Sequence, residues 1–125
     1  MQRRFILASA LFAIAVTASA QHGGGGDLAK EKKVLATAKA AYVTAKGAYT
    51  KKPSDAKLKK AYVVATVKFA TATMTSGALS SKEKYPGALR LYREALKVDP
   101  KNKEALQNKQ MIEQIYQSMG KPIPK

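Results

Sequence analysis

Seven residues separate Leu28 from Leu35, Leu35 from Tyr42 and Tyr42 from Tyr49, and Ala38 and Ala45 fall three residues after Leu35 and Tyr42. Seven residues are nearly two helical turns, so these side chains form one stripe along a helix over residues 28–51. The segments 38–44 and 45–51 are near copies of each other, and alanine between the tyrosines lets a second helix approach closely. An apolar stripe has to be buried against another element, which commits the chain to packed rods. Lys32, Lys39 and Lys46 follow the stripe positions by four residues, about 40° round the helix. There their stems lie on apolar surface while the ammonium groups reach water, giving a basic face.

Pro53 ends this helix, because the residue before proline disfavours the helical conformation. Ser54 is expected to cap the next helix and Asp55 to stand in its first turn. That stretch, residues 55–79, puts Leu58, Ala65, Ala72 and Leu79 on one row and Tyr62 and Phe69 on the adjoining one, so the first two stripes are expected to face each other. A strand competes here, because residues 63–75 are rich in valine and threonine and residues 67–75 partly alternate. No other segment offers a strand partner, so helix is expected, kinked or frayed near 73–77. Residues 80–84 read as a polar connection. Residues 85–98 then carry Tyr85, Ala88, Leu89, Tyr92, Ala95 and Leu96 on one face. Asn102 is expected to cap a last helix over 103–119, with Leu106, Ile112, Ile115, Tyr116 and Met119 as its apolar set. Gly120 stops it, and the tail 121–125 is expected to be disordered. The fold class is all-α: antiparallel hairpins of about four helices in one domain over residues 28–119.

Residues 1–20 have the three parts of an export signal: Arg3 and Arg4, an apolar run over 5–16, and a small-residue end with Ala18 and Ala20 at the cleavage site. The run is shorter than the roughly 20 residues that span a bilayer. With no cysteine in the chain, a lipoprotein anchor, disulfides and thiolate chemistry are excluded. The expected product is periplasmic or secreted. His22 and the glycines of 23–26 form a flexible leader over 21–27. His22 with a new amino terminus supplies only two metal ligands, so no metal and no cofactor are expected.

The segment 85–100 closely resembles the second helix of a tetratricopeptide repeat. Ala88, Tyr92, Ala95 and Pro100 meet the family's small, aromatic, small and proline positions at spacings of four, three and five. Asn102, Glu104, Ala105 and Leu106 resemble the opening of the next repeat's first helix, which would act as a cap. The resemblance covers about residues 84–119, with divergent helices upstream. It implies a short solenoid of stacked hairpins and a protein-interaction module that holds a partner's helix or peptide. It further implies partner contacts at Gln107, Asn108, Met111 and Gln114, and at Lys57 and Lys60 for an acidic peptide or a C-terminal carboxylate.

Catalysis is not expected: the one histidine lies in the leader, and the eight carboxylates are scattered without a neighbouring base. The formal charge is +15. Residues 28–68 hold 11 lysines against 2 acids, so the first hairpin is the basic part. The alternative function is therefore polyanion binding, directed after export to envelope polymers, lipopolysaccharide or anionic lipid headgroups and not to specific nucleic acid. Lysine, a hydrated point charge, favours diffuse attraction over specific readout. A third reading is self-association through the tyrosine rows.

Overall fold

Pro53, the segment 76–80 and the Asp99-Pro100 turn divide the chain into four helices: α1 (Gly24–Lys51), α2 (Ala56–Thr75), α3 (Ser81–Val98) and α4 (Lys103–Ser118). They are seen in a computed structural model that describes residues 24–125. No strand occurs among the described residues. The expected export segment, with Ala18 and Ala20, and His22 lie outside them. Short turns make neighbouring helices antiparallel, and α1 packs on α2, α2 on α3, and α3 on α4. Residues 24–26, expected in the leader, belong to α1, whose first turn holds Asp27. A carboxylate there complements the positive end of the helix dipole.

The strand alternative fails over 63–75, and hydrogen bonding explains why. Thr66, Thr73 and Thr75 donate their hydroxyls to the carbonyls of Tyr62, Phe69 and Thr71, four residues back, at 2.7, 2.8 and 2.8 Å. A threonine satisfied by its own helix avoids the larger cost of an unpaired buried hydroxyl, and Thr66 is fully buried. α2 stops at Thr75, short of Leu79, because Ser76 turns extended and its hydroxyl accepts the Ala78 N–H at 3.1 Å.

Two expected boundaries move for capping reasons. Asp55 caps α2 in place of Ser54, accepting the Leu58 N–H at 2.9 Å. α3 starts at Ser81, inside the stretch expected to be a connection, because Glu83 reaches back to the Ser80 N–H at 3.0 Å and hydroxyl at 2.9 Å. That contact is the acidic half of a capping box, and the Ser80 N–H holds the Glu83 carboxyl below the usual range. Asn102 caps α4 as expected, accepting the Ala105 N–H at 3.0 Å.

The tail departs from its expected disorder. Gly120 takes φ 64°, a left-handed conformation that glycine adopts without a Cβ clash. The Lys121 N–H then bonds the Tyr116 carbonyl and the Gly120 N–H the Gln117 carbonyl, each at 3.0 Å, a Schellman end. Turned back in this way, the tail packs Ile123 against the core and presents the Pro124 carbonyl to Arg93 Nη1 at 2.6 Å.

Ala88, Tyr92 and Ala95 point inward and are fully buried, and Pro100 is exposed at the α3–α4 turn. Alanines on α3 and Ala105 on α4 let these helices close in, while Tyr92, Leu89, Leu91 and Ile112 supply the largest buried side chains. Between α1 and α2 the aromatic rows meet. Tyr49 stacks on Tyr62 with centroids 5.1 Å apart, and Tyr42 lies 5.3 Å from Phe69.

Candidate functional site

Three features of this fold bear on function: a polar knot under α1, a hydroxyl chain between α2 and α4, and an open groove on the first hairpin. The knot centres on Glu94 of α3, which accepts the Tyr42 hydroxyl at 2.7 Å, the Lys46 ammonium at 2.8 Å, and the Tyr62 hydroxyl. Lys46 also donates to the Tyr42 hydroxyl at 3.0 Å. Burial raises the Glu94 carboxyl pKa, but the donors Lys46, Tyr62 and Tyr42 outweigh it and hold the group below its ordinary value. The Glu94 bond holds the Lys46 ammonium above its usual value, and burial followed by the Glu94 contact raises the Tyr62 phenol. Both tyrosine hydroxyls and the Lys46 ammonium share Glu94 as acceptor, so the knot ties α1, α2 and α3 together.

The second feature runs through Tyr92. Thr71 gives its one hydroxyl hydrogen to Glu104 at 2.8 Å, so it accepts the Tyr92 hydroxyl at 2.8 Å, which in turn accepts Asn108 Nδ2 at 2.9 Å. Burial raises the Tyr92 phenol above its usual value. This chain fastens α4 to α2.

The third feature is a groove of about 900 Å³ between α1 and α2. Its floor is small side chains, Ala38 and Ala41 from α1 with Ala61, Ala65 and Ala72 from α2. Val34 and Val64 flank the floor at 53 and 44% exposure, values that show no described segment covering it. Lys30, Lys33 and Lys68, all exposed, complete the lining with Thr37. Past Val34 and Ala72 the groove runs into a depression of about 390 Å³ that holds Asp27 and Glu31. Toward the α1–α2 turn, a further depression of about 480 Å³ is lined by Val43, Gly47, Ala48 and Leu58.

The residues singled out from sequence fall into different places. Lys32 and Lys39 are exposed on α1, whereas Lys46 is half-exposed and engaged with Glu94, so it is no free member of a basic face. Asn108 is spent on Tyr92; the role in partner contact is displaced because its amide lies within reach of a buried hydroxyl. Gln107, Met111 and Gln114 are exposed on one row of α4, which contributes nothing to the α1/α2 groove. Lys60 lines a cavity of about 370 Å³ with Val63, Val98 and Asn102, and Lys57 is exposed outside it. The structure thus does not gather these residues into one site. The groove lysines Lys30, Lys33 and Lys68 were missed by sequence reasoning. The signal was a second α1 stripe, Val34, Ala38 and Ala41, running beside the tyrosine stripe at helical spacing.

Among the described residues no cluster of acidic or histidine side chains could hold a metal ion, and no helix is long and apolar enough to cross a membrane. No protein-family model matches the chain, and no curated protein and no solved structure matches it.

Proposed function

We propose that this chain is an exported, non-catalytic protein-interaction module of the tetratricopeptide-like kind, acting as an adaptor in the bacterial cell envelope through the α1/α2 groove. The observation that carries the reading is the asymmetry of the helix stack. α3 has α2 on one flank and α4 on the other, whereas α1 packs on α2 and leaves a valine- and alanine-lined side open. A concave groove with an apolar floor and a few polar groups at its edge is a shape that binding sites take. The supporting chemistry is recognition without turnover: the carboxylates with the most hydrogen bonds, Glu94 and Glu83, are both occupied in holding helices.

A second reading, polyanion binding by the basic hairpin, has support in the exposed lysines Lys30, Lys32, Lys33 and Lys39 along α1. The two readings separate in a capture experiment from envelope extract, run with the wild-type protein and with Ala41→Glu at low and high salt. Groove docking predicts partners that persist at high salt and are lost with Ala41→Glu. Capture that disappears at high salt and ignores Ala41→Glu would instead establish charge binding.

A further inference from the structure

Resting on that reading, we infer that the groove between α1 and α2 seats one helix of a partner protein, about three turns long, apolar on its buried face and acidic along its flanks. Lys30 to Ala41 of α1 and Ala61 to Ala72 of α2 each span eleven steps of a helix, about 17 Å at 1.5 Å per residue. Two packed helices with an alanine floor form a trough of the shape that receives a third rod, since small side chains allow the closest helix approach. α4 covers the far flank of α3, whereas no described helix covers the groove between α1 and α2.

The charge selects among occupants. Lys33 and Lys68 come from opposite walls, with Lys30 beside them, and no carboxylate lines the groove itself. Asp27 and Glu31 sit beyond its end, so acidic side chains of an occupant belong over the lysine stretch. A second copy would bring its own lysines against these and meet repulsion. An anionic bilayer surface is flat and is grasped by protruding apolar side chains, whereas here the alanine floor is recessed between two helices.

The test uses two synthetic peptides of about 16 residues with the same leucine stripe at i, i+3, i+4 and i+7, one flanked by Glu and one by Lys. Each is titrated into the purified protein and followed by fluorescence anisotropy. The Glu peptide is expected to bind at least about tenfold tighter than the Lys peptide. Ala41→Glu should weaken it about tenfold or more, and Met111→Glu on α4 should leave it unchanged. The double variant Lys33→Glu with Lys68→Glu should invert the preference. All these positions but Lys33 and Lys68 are uncharged in the wild type, all are exposed, and circular dichroism of each variant verifies folding.

Equal binding of both peptides, or indifference to the charge reversal, overturns the acidic-helix proposal. The module reading survives that result if Ala41→Glu still abolishes binding. A dimer in sedimentation that Ala41→Glu dissociates assigns the groove to a second copy and overturns the proposal. So does binding to phosphatidylglycerol vesicles that Ala41→Glu abolishes. Peptides that fail to bind, together with salt-sensitive vesicle binding indifferent to Ala41→Glu, overturn both the proposal and the module reading.

Discussion

Glu94 is the residue on which the first three helices converge. Removing its carboxylate leaves the Tyr42 and Tyr62 hydroxyls and the Lys46 ammonium without their shared acceptor, so Glu94→Ala should destabilise the fold by about 2 kcal/mol in urea unfolding. The Glu94 carboxyl is depressed in the folded protein, so its contribution is complete above the ordinary carboxylate value of about 4.3 and is lost as pH falls through the lower folded value. Lys46 and Tyr62 are raised, so their contributions are complete below about 10 and are lost as pH climbs through their folded values. Melting temperature against pH should therefore fall on both sides, and Glu94→Gln should flatten the acid limb; an unchanged acid limb would refute the assignment. None of this was legible in the sequence. Glu94 stands 52 positions from Tyr42 and 32 from Tyr62, and no local spacing announces a contact of that range. Ala88, Tyr92 and Ala95, by contrast, have a spacing that puts them on one helical face in the sequence, and all three are buried.

At the scale of elements, the helices were legible and their ends less so. Ser54 and Asp55 are both good caps, and Asp55 is the one whose carboxylate accepts the Leu58 N–H. Asp55→Ala is expected to cost about 1 kcal/mol and Ser54→Ala to fall within about 0.5 kcal/mol, read by thermal or urea unfolding. The β-branched run of α2 looked ambiguous because propensity weighs threonine as a competitor of the helix, whereas here three hydroxyls bond carbonyls four residues back. The tail was misjudged because five residues with two prolines carry no periodic signal. Gly120 and the Arg93–Pro124 contact give it a place. Gly120→Ala should cost about 1 kcal/mol through the left-handed backbone position. In the same variant, amide exchange at Lys121, whose N–H bonds Tyr116, should quicken; unchanged exchange would mean the tail is held by other contacts.

For the whole molecule, the stacked-helix architecture follows from stripes that were visible from the first residues of α1 onward. Leu91 was not among the expected core residues, yet it is buried, because α3 is covered from two sides and one apolar face could not reveal the second. The same reasoning applied to α1 exposes what the fold leaves undone: its second stripe, Val34, Ala38 and Ala41, has no described helix against it. Tight packing elsewhere predicts intolerance to added volume, so Ala95→Leu at the closed α3 face should cost about 1–3 kcal/mol. Ala61→Leu at the open groove floor should leave stability nearly unchanged in the same unfolding assay. The most direct test of docking at the open flank is a backbone-amide NMR titration with the Glu-flanked helical peptide at low and high salt. Docking in the groove predicts shifts concentrated at Val34, Ala38, Ala41, Ala61 and Val64 that persist at high salt. Shifts scattered over exposed lysines and abolished by salt would contradict it.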